Sequence, residues 1–256
     1  MPALQAPPRR DRARAGPERQ HPAGGWKIVA LRLVGGAVAL WGLLVLFGVF
    51  VTHVLVHGPV HSADLGVVDW FAAHRTGVWN TVTVVGADLA QTQTAIAVTV
   101  VVALLLRWRL RRWYESWIVV AAMAGELLVF FAVTATVHRP RPPVARLDVA
   151  PPTSSFPSGH TSAAVALYGC IALLVLWLYG RRPATRVTAV VLFCLPVVVG
   201  LSRLYRGMHY PSDVLAGVLM GGLWLVLVFT TLLPRQGTSL PRQGRGKRRA
   251  ASPAVR

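Results

Sequence analysis

Acidic side chains are scarce in this chain: nine Asp and Glu stand against 27 Lys and Arg in 256 residues. Lysine is nearly missing as well, with only Lys27 and Lys247, so arginine carries the formal charge of +18. Asp64, Asp69 and Asp148, among the few carboxylates outside the apolar runs, are scattered and form no HExxH or paired-carboxylate pattern. That argues against a metal centre. Cys170 and Cys194 sit inside apolar runs without CxxC or Cys/His spacing, which argues against a disulfide framework or a zinc site. Charged residues make up only 14% of the chain, hydrophobic ones 54%, and the mean hydropathy is +0.51. A water-soluble globular domain is excluded on that composition.

What is present is a series of long apolar runs. A spanning helix needs about 20 mainly apolar residues, and six runs qualify: 33–51, 81–106, 116–137, 161–180, 187–202 and 214–234. The fifth is short and contains Pro196. The predicted fold is all-α, a polytopic integral membrane protein of six transmembrane helices. Residues 57–80, with Trp70 and Trp79, read as an interfacial segment between the first and second spans. Segments 1–27 and 235–256 are too polar and irregular to bury a core and read as disordered basic tails around a membrane domain at 28–234. Asp88 and Glu126 fall within spans, where an ionisable group either marks a pathway or is hydrogen-bonded to a neighbouring helix.

Cation placement orients the chain, because short cytoplasmic loops collect Lys and Arg. With the N-terminus inside, 21 of the 27 cations fall on the cytoplasmic side, in both tails and in the loops after the second and fourth spans. The net charge is thus mainly a topology signal, and nucleic acid is not an expected partner. Six cations remain outside: Arg75, Arg139, Arg141, Arg146, Arg203 and Arg206. Five of them lie in two loops that follow odd-numbered spans and so share one face. The first loop reads His138-Arg139-Pro140-Arg141-Pro142 and later Pro157-Ser158-Gly159-His160. The second reads Ser202-Arg203, five residues, His209, three residues, Asp213.

Arg-Pro, then Pro-Ser-Gly-His, then Ser-Arg-x5-His-x3-Asp, in that order and at the ends of apolar helices, resembles the type 2 phosphatidic acid phosphatase family. That superfamily also holds vanadium haloperoxidases and bacterial acid phosphatases. The resemblance covers roughly residues 60 to 233. It departs from the family at one place: the first motif is Lys, six residues, Arg-Pro, and the position seven before Arg141 is Thr134.

The residue types suit phosphate chemistry. Arg141 and Arg203 offer planar forks of donors for phosphate oxygens, and Arg139 is a further candidate contact. Ser158 and Gly159 stand where the fourth span begins, and a helix N-terminus receives anions. His209 and Asp213 are four apart on one helical face, so the carboxylate can orient the ring and leave its other nitrogen free to attack, giving a phosphohistidine. His160 is the expected acid for the leaving group and then the base for water. The resemblance implies these same roles. No metal and no cofactor are expected. The resemblance implies phosphatidate, phosphatidylglycerophosphate, diacylglycerol diphosphate or a polyprenyl diphosphate as substrate, met at the extracytoplasmic face of a bacterial plasma membrane. The partners are the lipid phosphate and the bilayer; oligomeric state is not legible. A protein that binds or transports lipid phosphates without turnover could use the same arginines, but it has no use for a His-Asp pair.

Overall fold

The computed structural model describes residues 25–55 and 58–233. The segments expected as tails lie almost wholly outside the described residues. Eight helices follow one another: α1 Gly25–Val49, α2 Pro59–Ala73, α3 Gly77–Asp88, α4 Thr92–Leu110, α5 Tyr114–Thr136, α6 Gly159–Tyr179, α7 Pro183–Tyr205 and α8 Pro211–Leu232, with no strand among the described residues. Six of them, all but α2 and α3, are long and apolar enough to cross a membrane, α1 running on through a π-turn to Val54. Such segments become helices because hydrocarbon offers no partner for backbone N–H and C=O groups, which must then be satisfied within the segment.

Two expected spans are corrected. The run 81–106 is not one helix: α3 ends at Asp88, and α4 begins at Thr92 after Gln91 turns extended at ψ 148. The Tyr168 hydroxyl donates to the Leu89 carbonyl at 2.6 Å, which compensates one of the groups released at this break. The short run 187–202 grows at both ends into the 23 residues of α7 and keeps Pro196 inside the helix. Arg203 lies in its last turn, where it finds a partner in Asp148. The interfacial segment divides into α2 and the first turn of α3. In α2 only Asp64 and Val68 are buried, while α3 lies along α7 with Gly86 facing Ser202 and Val198.

α6 is the most buried span and packs against α5, α7 and α8. Its approach to α8 is set by Gly217 and Gly221, a small-xxx-small pair. A Cβ on Gly217 would stand 2.6 Å from the Ser158 carbonyl, and one on Gly221 would stand 2.7 Å from that of Ser162. This close crossing brings the first turns of α6 and α8 together. On the other side of α8, Trp224 fills the space over Gly125 of α5 and donates to the Ala122 carbonyl at 2.9 Å. Exposed Val, Leu and Trp side chains of α1, α4, α7 and α8 form the outward apolar surface.

Candidate active site

The loop 137–158 and the turn 206–210 meet where α5 and α7 end and α6 and α8 begin. Gly207 adopts a left-handed φ of +71 that permits the turn, and a Cβ there would press on Val144 at 2.9 Å. Pro211 then opens α8, and the Asp213 carboxylate accepts from the Tyr210 N–H at 2.9 Å, capping the first turn.

His209 is only 4% exposed. Its Nδ1 lies 2.8 Å from the Ser155 carbonyl oxygen and 3.8 Å from Asp213 Oδ2. A carbonyl can only accept, so Nδ1 carries the proton and Nε2 keeps its lone pair. Burial pushes the His209 pKa below the usual imidazole range, and the Asp213 carboxylate offsets this only in part. The ring is therefore held neutral. Asp213 does not hold Nδ1 directly, as the four-residue spacing had suggested. Its oxygens are taken by Arg139 Nη1 at 2.5 Å, Ser155 Oγ at 2.6 Å and the Tyr210 N–H. Through Ser155 on one side and the Tyr210 turn on the other, it fixes the ring without touching it.

Arg139 is turned away from the site. Besides Asp213 it pairs with Asp64 at 2.8 Å, donates to Ser212 Oγ at 2.7 Å and stacks on Tyr210 at 4.3 Å. Asp64 also accepts from the Ser212 N–H at 3.0 Å. Buried carboxylates attract a guanidinium more strongly than an open pocket does, which is why this arginine ends in the scaffold.

In front of His209, a cavity of about 500 Å³ has Arg141, Thr153, Gly159, His160, Arg203 and His209 at one end. The remaining wall is mainly apolar, with Ala95, Ile96 and Val100 of α4 and Val120, Met123, Leu127 and Phe130 of α5. Arg141 is anchored by the carbonyls of Met208 at 2.9 Å and Thr153 at 3.4 Å. Arg203 bonds Asp148 at 2.8 Å, while its Nε is buried without a protein partner. Arg206 lies behind, held to both oxygens of Asp148 at 2.8 Å. Burial pushes the Asp148 pKa up, but hydrogen bonds and charge from Arg206 and Arg203 outweigh it and hold it below the usual carboxylate range. Arg203 and Arg206 share this one carboxylate, and Arg141 is in no ion pair among the described residues, a positive excess suited to a phosphate dianion.

The N-terminus of α6 enters the same cavity at Gly159 and His160, where a first helical turn leaves N–H groups free. Ser158 does not line it. Its hydroxyl pairs with Thr161 Oγ1 at 2.9 Å, and its N–H donates to the Asp213 carbonyl at 3.0 Å. Thr134 is also outside the cavity wall, buried in α5 with its hydroxyl unpartnered. Asp64, Asp148, Ser155 and Arg206 were not singled out as site residues from the sequence. Asp64 and Asp148 carried a usable signal, being rare acids in an arginine-rich chain. No cluster of three or more His, Cys, Asp or Glu side chains able to hold a metal occurs among the described residues.

Residues 115–236 match the model of the PAP2 superfamily. Over 119 residues the chain is 31% identical to "Phosphatidylglycerophosphatase B" of Bacillus subtilis (strain 168), covering 46% of this chain and 58% of that protein. Over 83 residues it is 36% identical to "Lipid A 1-phosphatase" of Rhizobium etli, covering 32% of this chain and 31% of that protein. The chain thus spans less than two thirds of the length of these relatives. A crystal structure of a transmembrane PAP2-type phosphatidylglycerolphosphate phosphatase from Bacillus subtilis shares the fold. Its TM-score is 0.66 at 23% identity, over 80% of this chain and 99% of that one.

Proposed function

We propose that this chain, whose residues 115–236 match the model of the PAP2 superfamily, is a lipid-phosphate phosphatase that works through a phosphohistidine at His209. The observation that carries the reading is the joining of two surfaces in one cavity. His209, His160, Arg141 and Arg203 form its polar end, and the apolar faces of α4 and α5 continue from it. A phosphate on a hydrocarbon tail fits both halves.

The reaction runs in two displacements. Arg141, the buried Nε of Arg203 and the N–H groups at the start of α6 neutralise the phosphate oxygens, which otherwise repel a nucleophile. The free Nε2 of His209 attacks phosphorus and the P–O bond to the lipid breaks. His160 gives a proton to the departing oxygen, then takes one from a water that attacks the phosphohistidine and releases inorganic phosphate. The Ser155 carbonyl and the nearby Asp213 charge favour the positive ring that forms on the way. These steps need no metal. Phosphatidate, phosphatidylglycerophosphate and polyprenyl diphosphates are the substrate classes to compare. The cation tally supports a site on the extracytoplasmic face with both termini in the cytoplasm.

The test is phosphate release by the detergent-purified protein with EDTA present, comparing wild type with His209→Ala. We expect a loss of at least about 10³-fold and an acid-labile phosphate label on wild type alone. Wild type and variant equally inert, with a lipid phosphate still bound, would replace the enzyme reading by the binding or transport one.

A further inference from the structure

Glu126 is a carboxyl in a place where the chemistry above gives it nothing to do. It lies in α5, is 2% exposed, and lines the apolar wall of the cavity. Its Oε1 meets Ser162 Oγ of α6 at 2.5 Å, while Oε2 has no hydrogen bond among the described residues. A polar group left half-paired in hydrocarbon costs stability, so a structural role alone would favour an apolar residue here.

The depth of this oxygen is informative. Ser162 stands three residues beyond Gly159, about 4.5 Å along the axis of α6 from the N–H groups that meet the phosphate. In a glycerolipid phosphate, the glycerol and its acyl-ester oxygens follow the phosphate at that distance. In a polyprenyl phosphate only hydrocarbon does, and it would leave Oε2 desolvated and unpaired. Discrimination by an unpaired buried polar group exceeds discrimination by fit alone.

We propose that Glu126, as a neutral carboxylic acid that accepts from Ser162 at Oε1, donates its Oε2 proton to an acyl-ester oxygen of the substrate and so makes this cavity selective for glycerolipid phosphates over polyprenyl phosphates. The proposal rests on the lipid-phosphatase reading and narrows its substrate class.

The experiment measures kcat/KM of the full-length protein in detergent for dioleoyl phosphatidate and for undecaprenyl monophosphate, in wild type, Glu126→Leu and Glu126→Gln. The ratio of the two values does not depend on how much of a preparation is folded. Wild type is expected to favour phosphatidate. Glu126→Leu should shrink that ratio by about five- to tenfold, and Glu126→Gln, which keeps a hydrogen-bonding group of the same shape, should hold it within about twofold. A ratio unchanged in Glu126→Leu, or a wild type that prefers the polyprenyl lipid, overturns the proposal. If wild type releases phosphate from neither lipid, the phosphatase reading fails by itself. The affinity ratio for the same two lipids, read by intrinsic tryptophan fluorescence in the same three proteins, then decides the role of Glu126 by the same criteria.

Discussion

Replacing Arg139 by alanine sets the phosphate contact that the sequence allows against the scaffold role that its buried partners give it. The guanidinium sits between Asp64 and Asp213, both buried, with ion-pair distances of 2.8 and 2.5 Å, and it stacks on Tyr210. Truncation leaves two carboxylates in a low-dielectric site without their shared cation, a loss of about 3–5 kcal/mol. For a domain of this size that corresponds to a fall in Tm of about 6–20 °C. Turnover should fall with it, because Asp213 then loses the partner that sets its position beside Ser155 and the Tyr210 turn. Thermal unfolding in detergent gives the first quantity, and phosphate release at saturating and limiting lipid gives kcat and KM. Adding Asp64→Ala should restore about 0.5–3 kcal/mol, since the second carboxylate no longer lacks its counterion. An Arg139→Ala protein with unchanged Tm and only a raised KM would refute the scaffold role and return Arg139 to the phosphate.

Two further outcomes test the site. Because burial holds the His209 pKa below its ordinary value near 6.5, the acid limb of the kcat/KM profile should lie below pH 6.5. Stability should change in the same window. The unfolded chain takes up a proton as pH falls through about 6.5 while the folded site resists it, so stability is lost from there downward; an acid limb at or above 6.5 would contradict the buried neutral ring. Thr134→Val replaces a buried, unpartnered hydroxyl by a methyl of similar size. It should leave stability equal or raise it by about 1 kcal/mol with KM for the lipid unchanged, whereas a rise in KM would show that Thr134 reaches the phosphate.

Five of the seven residues marked as catalytic or phosphate-binding, Arg141, Gly159, His160, Arg203 and His209, line one cavity. The motifs could mark them because each spacing keeps its members within a turn or two of one helix end. Ser158 and Asp213 carry the same motifs yet stand behind the cavity wall. Ser158 bonds Thr161, and Asp213 bonds Arg139, Ser155 and Tyr210. Nothing in a linear spacing tells a residue that touches a ligand from one that supports its neighbour. Arg139 and Arg141 show the same limit: both are followed by proline in one loop, and only packing sends one to two buried acids and the other to the cavity.

The sequence by itself determined the membrane class, the number of spans, the shared face of the two motif-bearing loops and the residue types of the site. These are local properties: hydrocarbon requires each span to satisfy its own backbone, and apolar runs and short motifs record that directly. Tertiary structure alone decided the break at Leu89, the pairing of Arg139 with Asp64 and of Arg203 and Arg206 with Asp148, the Ser155 carbonyl on His209, and the placement of Glu126 in the cavity wall. The paired acids and arginines lie 55 to 75 residues apart in the chain. Which of them meet depends on how closely α6, α7 and α8 pack, and charges far apart in sequence find one another only when that packing removes water from between them.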